Sequence, residues 1–563
     1  MFSISRFAKA SVTCGAAVCV ACAGQVKPDA IQAPQVFYTV TGEIALARHE
    51  PRVAALQYAA AAQDADPKLL QRAAEVTDQS LQPSLTAVVA ERWISLNPTS
   101  LDAHRAAAKA ALALHEIPRS AEQYRIVVAT SPRGADAEFA ELETELPRVD
   151  NPFGARQVAD RLAQFYPGSA AALRLQGFAA LRADDPAAAA RSLAAALALM
   201  GDAQADSEAR RELTQGLWRA QILAGDPDEP LAQSQSLVER EATAANRLDH
   251  ALLLLAAQRD AAATSQLEDL ARDPESAAVA LRLLGLVEFQ DGKLDAAGRR
   301  FTELLALGKF VDDSFYYLGL IAERGGDVQR ALRLYAQVQS GDNAVPSLLR
   351  ASSILQANGA PAAAQELLDR LIEDEPERAP EILTARARIY ADAGDAQQAM
   401  QVLDGGEREY PDSVEIRYAI ASTYEEQGRI GPALRELKIV LDSRPDDPAA
   451  LNAYGYTLAD HKLQLVHART LIERAYATAP KNAAILDSLG WVLFRQGHSA
   501  EALPYLTTAY ADDRGGDIAA HLGEVLCSLG RRDEAERVWS EASAADSDNR
   551  LLKSTRERLH APK

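Results

Sequence analysis

Residues 385–411 read ARARIYADAGDAQQAMQVLDGGEREYP, and residues 412–445 read DSVEIRYAIASTYEEQGRIGPALRELKIVLDSRP. Set one above the other, Gly394, Ala399 and Pro411 fall on Gly428, Ala433 and Pro445. The register runs outward in both directions. Gly359, Ala364 and Pro376 precede the first trio; Ala468 and Pro480, then Gly490, Gly497 and Ala502, then Gly523, Gly530 and Ala535 follow the second. Further upstream, Gly285, Gly292 and Ala297 and then Gly319, Gly326 and Ala331 keep the spacing. A period of about 34 residues marks an array of small units, each unable to bury its apolar face alone.

Each recurring position has a packing reason. A small residue at Gly285, Gly319, Gly455, Gly490 and Gly523 lets a second helix approach the first. Further along the same helices Gly292, Gly326, Gly394, Gly428, Gly497 and Gly530 end the first helix, where a left-handed backbone costs glycine least. The alanine that follows each of them is a close-contact point, and the proline after the second helix stops it. Leu284, Leu318, Ile420, Tyr454, Leu489 and Leu522 fill the core from the first helix; Phe301, Tyr335, Leu403, Leu437, Leu506 and Trp539 fill it from the second. This pattern resembles the tetratricopeptide repeat, a helix–turn–helix unit. Several signature positions kept in phase set it apart from a generic alanine-rich helical array.

The N-terminal half is more degenerate but in phase. Ala54, Ala87, Ala121, Ala155 and Ala189 recur at the same interval, Gly42 and Gly177 take the small slot, and Pro98, Pro132 and Pro167 the terminator slot. Residues 201–275 are the weakest section. The organisation expected is residues 1–21 as signal peptide, 22–34 as tether, 35–275 as degenerate repeats, 276–549 as well-formed repeats, and 550–563 as capping helix and tail. About 15 helical hairpins follow, giving an all-α, tetratricopeptide-repeat superhelical solenoid. A chain of 563 residues would otherwise suggest three or four domains; here the length is one continuous superhelix.

Composition agrees. Apolar residues are 48% of the chain but aromatics only 6%, because much of the apolar share is alanine, the best helix former. Lys and Arg number 59 against 79 Asp and Glu, a net charge of −20. Nucleic-acid binders need the opposite surplus to displace counterions, so nucleic acid is excluded as a main partner.

At the start, MFSISRFAKASVTCGAAVCVACAGQ places Arg6 and Lys9 before a small-residue apolar run, the layout of a secretory signal. The run is too short to cross a membrane as a helix. Cys22 after Val20 and Ala21 resembles the lipobox of bacterial lipoproteins, with Cys19 standing where Leu is usual. Lipidation of Cys22 would anchor the chain; cleavage after Ala21-Cys22-Ala23 would release a soluble periplasmic protein; a cytosolic chain without a working signal is the third reading. If Cys22 is lipidated, Ala23 after it resembles the sorting signal for the periplasmic face of the outer membrane. Lys27 alone makes no polybasic patch, so attachment would rest on acyl chains. With only Cys527 far downstream, no disulfide framework is expected.

Chemistry is sparse. The histidines form no metal-ligand spacing, and no phosphate-binding loop, dinucleotide fingerprint or nucleophile elbow occurs. The chain therefore reads as a non-enzyme without metal or cofactor. Repeats of this kind line a concave groove with the first helix of each unit. Carried onto this sequence, that implies Glu415, Tyr418, Ser422, Glu425 and Glu426, then Asn452, Tyr456 and Asp460, then Asp487, Trp491, Phe494 and Arg495. The partner-binding candidates among them are Tyr418, Asn452, Tyr456, Asp487, Trp491, Phe494 and Arg495. Aromatic anchors among hydrogen-bonding side chains suit a protein partner. Trp491 and Phe494 could equally pack on the adjacent repeat, and the acidic residues could select a basic partner or only keep the chain soluble.

The block from LNAYGYTLAD (451–460) through AAILDSLGWVLFRQGHSAEALPYLTTAY (483–510) to DIAAHLGEVLCSLGRRDEAERVW (517–539) is similar to a family of long, repeat-built proteobacterial lipoproteins. Members of that family serve as outer-membrane adaptors of a periplasmic carboxyl-terminal processing protease. The resemblance implies a scaffold that recruits the protease and its substrates, peptidoglycan cross-link hydrolases. Repeat lipoproteins also serve as scaffolds in polysaccharide export and pilus assembly, the alternative.

Overall fold

The computed structural model describes residues 33–64, 66–149, 151–200, 208–545 and 549–560. The expected signal peptide, Cys22 and most of the tether lie outside the described residues.

Proline and short polar residues set where the helices begin. Pro51, Pro67, Pro83, Pro152, Pro186, Pro361 and Pro448 each open one, where a missing N–H costs nothing. Ser100, Ser169, Ser413, Asp447 and Asn482 cap the first helix of their units through side-chain oxygens that accept backbone N–H bonds. At the other end, a left-handed residue stops the first helix. Gly292, Gly326, Gly394, Gly428, Gly497 and Gly530 take φ between 71° and 90° there.

Between these punctuation marks the described residues form fifteen successive helix pairs, from Ala33–Ala47 with Pro51–Ala61 to Gly516–Ser528 with Arg532–Ala545. All pack as antiparallel hairpins except Ala135–Glu145 and Pro152–Phe165, which pack on their neighbours instead of on each other. The helix Arg550–His560 lies across the last first-helix, Gly516–Ser528. No strand occurs among the described residues. The expected all-α superhelical solenoid is what forms.

The small slot does what its spacing implied. Gly285 lies under Phe301, Gly319 under Tyr335 and Gly490 under Leu506, with the same sequence offset in each pair. A Cβ at Gly490 would sit 2.6 Å from Leu506 Cγ and 3.1 Å from the Ala502 carbonyl oxygen. Gly42 beneath Tyr58 and Gly177 beneath Leu193 repeat the contact in the degenerate half. Phe301, Tyr335, Leu403, Leu437, Leu506 and Trp539 are all buried. From Val440 to Leu552 the buried side chains form one continuous cluster.

In the C-terminal units first helices pack side by side: Pro448–Asp460 with Ala483–Arg495, and that helix with Gly516–Ser528. They make one continuous helical face. Asn452, Tyr456, Asp487, Trp491, Phe494 and Arg495 lie on it, and Tyr418 on the preceding first helix, Val414–Glu426.

Candidate protein-binding face

The face is built by register. Tyr418, Asn452 and Asp487 occupy the same position of three successive first helices; in the fourth that position is Ala520, and His521 lies one residue further on. Tyr456 and Trp491 share the next position along the face, and Asp460 and Arg495 the one at its end. Side chains from neighbouring units therefore meet in rows.

Two rows are joined by hydrogen bonds between repeats. Asp460 Oδ1 accepts from Trp491 Nε1 (3.0 Å) and from Arg495 Nη2 (2.8 Å), and the same guanidinium reaches the Asp460 carbonyl oxygen at 2.9 Å. His521 Nδ1–H donates to Asp487 Oδ2 at 2.9 Å. The His521 ring stacks on Trp491 with centroids 3.9 Å apart and planes 21° from parallel. The Arg495 guanidinium carbon lies 4.3 Å from the Trp491 ring centroid, a cation–π contact.

Trp491 and Asp487 are consequently buried, at 3% and 6% exposure. They bind the neighbouring repeat instead of standing free in the groove. Of the two roles the sequence left open for Trp491, packing against the next unit is the one seen. Phe494, tilted against Trp491 at 5.3 Å, is half-buried. Tyr418, Asn452, Tyr456 and Arg495 are also half-buried and keep accessible surface on the face. Ser422 and Glu426 are exposed beside them.

The face is negative. Burial pushes the Tyr456 phenol well above its ordinary pKa, and the carboxylates of Asp460, Asp487, Asp517 and Glu425 add to the effect. Glu425 is itself raised by burial and by Asp460, with a Thr457 hydrogen bond and His461 opposing. Burial also works against ionisation of Asp460, but the hydrogen bonds from Arg495 and Trp491 and the Arg495 charge outweigh it and hold the carboxyl below its usual range.

Three buried polar atoms on this face have no hydrogen-bond partner: Asn452 Oδ1, Arg495 Nε and His521 Nε2. Most buried polar atoms in folded proteins are satisfied, so this is a local concentration of unused capacity. His521 was not among the candidates from sequence. The register does not single it out, because Ala520 and not His521 continues the row of Tyr418, Asn452 and Asp487. Asp460, read from sequence only as a groove position, proves to be the acceptor that holds Arg495 and Trp491.

No group of three or more His, Cys, Asp or Glu suited to a metal ion occurs among the described residues. Among them, too, no helix is long and apolar enough to cross a membrane. Burial raises the Cys527 thiol above its ordinary pKa, the reverse of an activated nucleophile.

Residues 390–455 match one tetratricopeptide-repeat family model, and residues 292–345, 349–414 and 488–550 match a second. The TPR repeat-containing protein PA4667 of Pseudomonas aeruginosa is 35% identical over 214 residues, covering 38% of this chain and 36% of that protein. The chain thus spans about a third of the length of that curated relative. Among solved structures, the thermophilic tetratricopeptide-repeat protein TTC0263 of Thermus thermophilus is similar over 32% of this chain and 98% of its own, at 21% identity and a TM-score of 0.29. Cut9 with Hcn1, an APC/C hetero-tetramer, gives 94% and 98% coverage, 13% identity and a TM-score of 0.31.

Proposed function

We propose that this protein is a non-catalytic adaptor of the bacterial envelope, which uses its first-helix face to recruit a periplasmic carboxyl-terminal processing protease together with peptidoglycan-hydrolase substrates. Tetratricopeptide repeats generally bind protein partners and are generally scaffolds without catalysis of their own. The observation that carries a binding role to this face is the grouping of Asn452 Oδ1, Arg495 Nε and His521 Nε2, unpaired and buried, among half-exposed aromatic rings. The surplus of carboxylates around Tyr456 favours a partner segment that brings Lys or Arg. The protease assignment rests on the resemblance of residues 451–539 to the lipoprotein adaptors, and attachment to the outer membrane rests on Cys22.

Affinity capture from envelope membranes with the mature chain, read by mass spectrometry, is the test. A carboxyl-terminal processing protease among the enriched proteins, lost with Asn452→Ala plus Arg495→Ala, supports the proposal. Enrichment of a secretin or polysaccharide-export channel instead would transfer the assignment to export or pilus assembly. For the anchor, Cys22→Ser should move the protein from the outer-membrane to the soluble periplasmic fraction; unchanged attachment rules the lipid out.

A further inference from the structure

Six hydrogen bonds join parts of the chain that are far apart in sequence. The Arg52 backbone N–H donates to Glu409 Oε1 (2.9 Å), Gln82 Nε2 to the Glu409 carbonyl oxygen (2.7 Å), and the Ser84 backbone N–H to Asp412 Oδ2 (3.2 Å). His115 Nε2–H and Gln157 Nε2 both donate to the Asp446 carboxylate, at 2.7 and 2.6 Å. Lys481 Nζ donates to the Leu223 carbonyl oxygen at 2.9 Å. Three of these pairs are separated by 327, 328 and 331 residues, close to ten repeat lengths, so one superhelical turn has come round onto another.

The two sides of this seam differ in kind. Glu409, Asp412, Asp446 and Lys481 lie at or after the ends of three successive second helices, Ala396–Glu409, Ile430–Ser443 and Leu465–Thr478. Opposite Glu409, Asp412 and Asp446 are the starts of second helices in the first units; opposite Lys481 is the end of the first helix Glu208–Ala224. Pro51–Ala61 and Pro83–Leu96 each open on proline, and their own N-cap residues, Glu50 and Gln82, make no side-chain cap bond. Their free N–H groups, at Arg52 and Ser84, are taken by Glu409 and Asp412 from the other turn. A carboxylate is the favoured partner there, because the N–H groups and the helix dipole are both positive. At the third contact, Asn151 Nδ2 donates to His115 Nδ1 (3.2 Å), which leaves the Nε2–H aimed at Asp446. Burial opposes ionisation of Asp446, yet the Gln157 and His115 bonds hold its carboxyl below the usual range.

We propose that the protein is a latched ring, in which the acidic edge of its C-terminal repeats caps the helix N-termini of its first repeats, and that breaking this cap opens the superhelix without unfolding a repeat. The seam is thin compared with the stacking. Leu81, packed against the cluster around Tyr410, is its apolar plug. An open crevice of about 480 Å³ lies beside the His115–Asp446 contact, lined by Gln157, Asp160 and Arg161 among others. The Asp446 side chain is half-exposed. Opening therefore exposes little apolar surface, whereas separating two hairpins exposes a core.

The test uses the mature chain with Cys22→Ser and Cys527→Ser, to which Ser84→Cys and Arg408→Cys are added. Ser84 contributes only its backbone N–H to the seam, so the cysteine leaves the cap intact. A short bis-maleimide should join the two cysteines in the parent. Adding Asp412→Arg and Asp446→Arg should cut the cross-link several-fold and raise the radius of gyration in small-angle scattering, with an unchanged far-UV circular dichroism melt. The milder set Glu409→Gln, Asp412→Asn and Asp446→Asn should act in the same direction, and guards against a folding failure of the charge reversals. Absence of the cross-link in the parent, or an unchanged radius and yield in both folded variants, overturns the proposal. The outcome is independent of which partner the first-helix face binds.

Discussion

The two halves of the solenoid stop their first helices in the same way with different residues. In the N-terminal half the left-handed position falls on His49, Leu81, His115, Asp184 and Gln258, at φ between 54° and 61°, with Gly225 (φ 104°) the exception. From residue 292 onward it falls mostly on glycine, at 292, 326, 359, 394, 428, 497 and 530. A side chain in that conformation costs roughly 1–2 kcal/mol that glycine avoids. The cores also vary along the chain. Residues 440–552 share one continuous cluster, while the section around 218–253 has a buried core of Trp218, Ile222 and Leu253. A repeat array gains cooperativity from its interfaces. The C-terminal block should therefore unfold as a unit, and the 208–270 section should open first and by itself.

Removing the key aromatic from each region is the strongest way to break that comparison. Trp539 is 1% exposed and fills the notch over Gly523. Trp539→Ala should cost about 3–5 kcal/mol and weaken hydrogen-exchange protection throughout 440–552. Trp218→Ala should cost less, with the loss confined to 208–256. Uniform loss of protection along the chain after Trp218→Ala would show that the halves are coupled more tightly than their cores indicate. Next in size is Gly490→Ala, whose methyl group meets Leu506 Cγ at 2.6 Å. Overpacking at such a contact costs about 1–3 kcal/mol, to be read as a fall in the denaturation midpoint of the C-terminal transition.

The same comparison explains what was legible in the sequence. Glycine at the small slot and at the helix stop states a geometric need that no other residue meets as cheaply, so residues 276–549 could be read unit by unit. In residues 35–275 the geometry persists, but His49, Leu81 or Gln258 does not announce a left-handed turn. There the alanine spacing was the surviving guide. The face was legible as positions and less so as exposure. A groove position of the first helix stays open only where the next unit leaves it uncovered, and at Trp491 the next unit presents His521. The seam was invisible, because pairs that meet across separate superhelical turns leave no periodic trace.

A pH difference sharpens the contrast further. Burial lifts the Glu143 carboxyl to about 7, and Arg174, which it shares with Glu212, offsets this only in part. A folded-state pKa above the unfolded value of 4.5 means that the folded form binds the proton more tightly. Its contribution is present below pH 4.5 and is lost as the pH rises through 7. Glu143→Gln should therefore stabilise the N-terminal transition at pH 8, by something on the order of 1 kcal/mol, and leave it unchanged near pH 4. An equal gain at both pH values would show that the carboxyl is not protonated in the folded state. Asp460 in the C-terminal block has the opposite sign. Its lowered pKa adds stability that is present above about 3.8 and is lost as the pH falls through the depressed value.

The smallest effect tests the cause of the difference most directly. Gln258 is exposed, and its turn closes with Gln258 N–H to the Leu255 carbonyl (3.0 Å) and Arg259 N–H to the Leu254 carbonyl (2.8 Å). Gly497 makes the same pair of bonds, to Phe494 and from His498 to Leu493, both at 2.9 Å. The two turns thus differ in the side chain and not in the hydrogen bonding. Gln258→Gly relieves about 1–2 kcal/mol of left-handed strain but returns about 0.5–1 kcal/mol of chain entropy to the unfolded state. The expected net gain is roughly 0.5–1 kcal/mol, seen as a higher midpoint for the N-terminal transition alone. Gly497→Ala, at φ 90°, should do the reverse to the C-terminal transition. If Gln258→Gly instead lowers stability, the 208–270 section is weaker because its cores are small, and the backbone of its turn is not a cause.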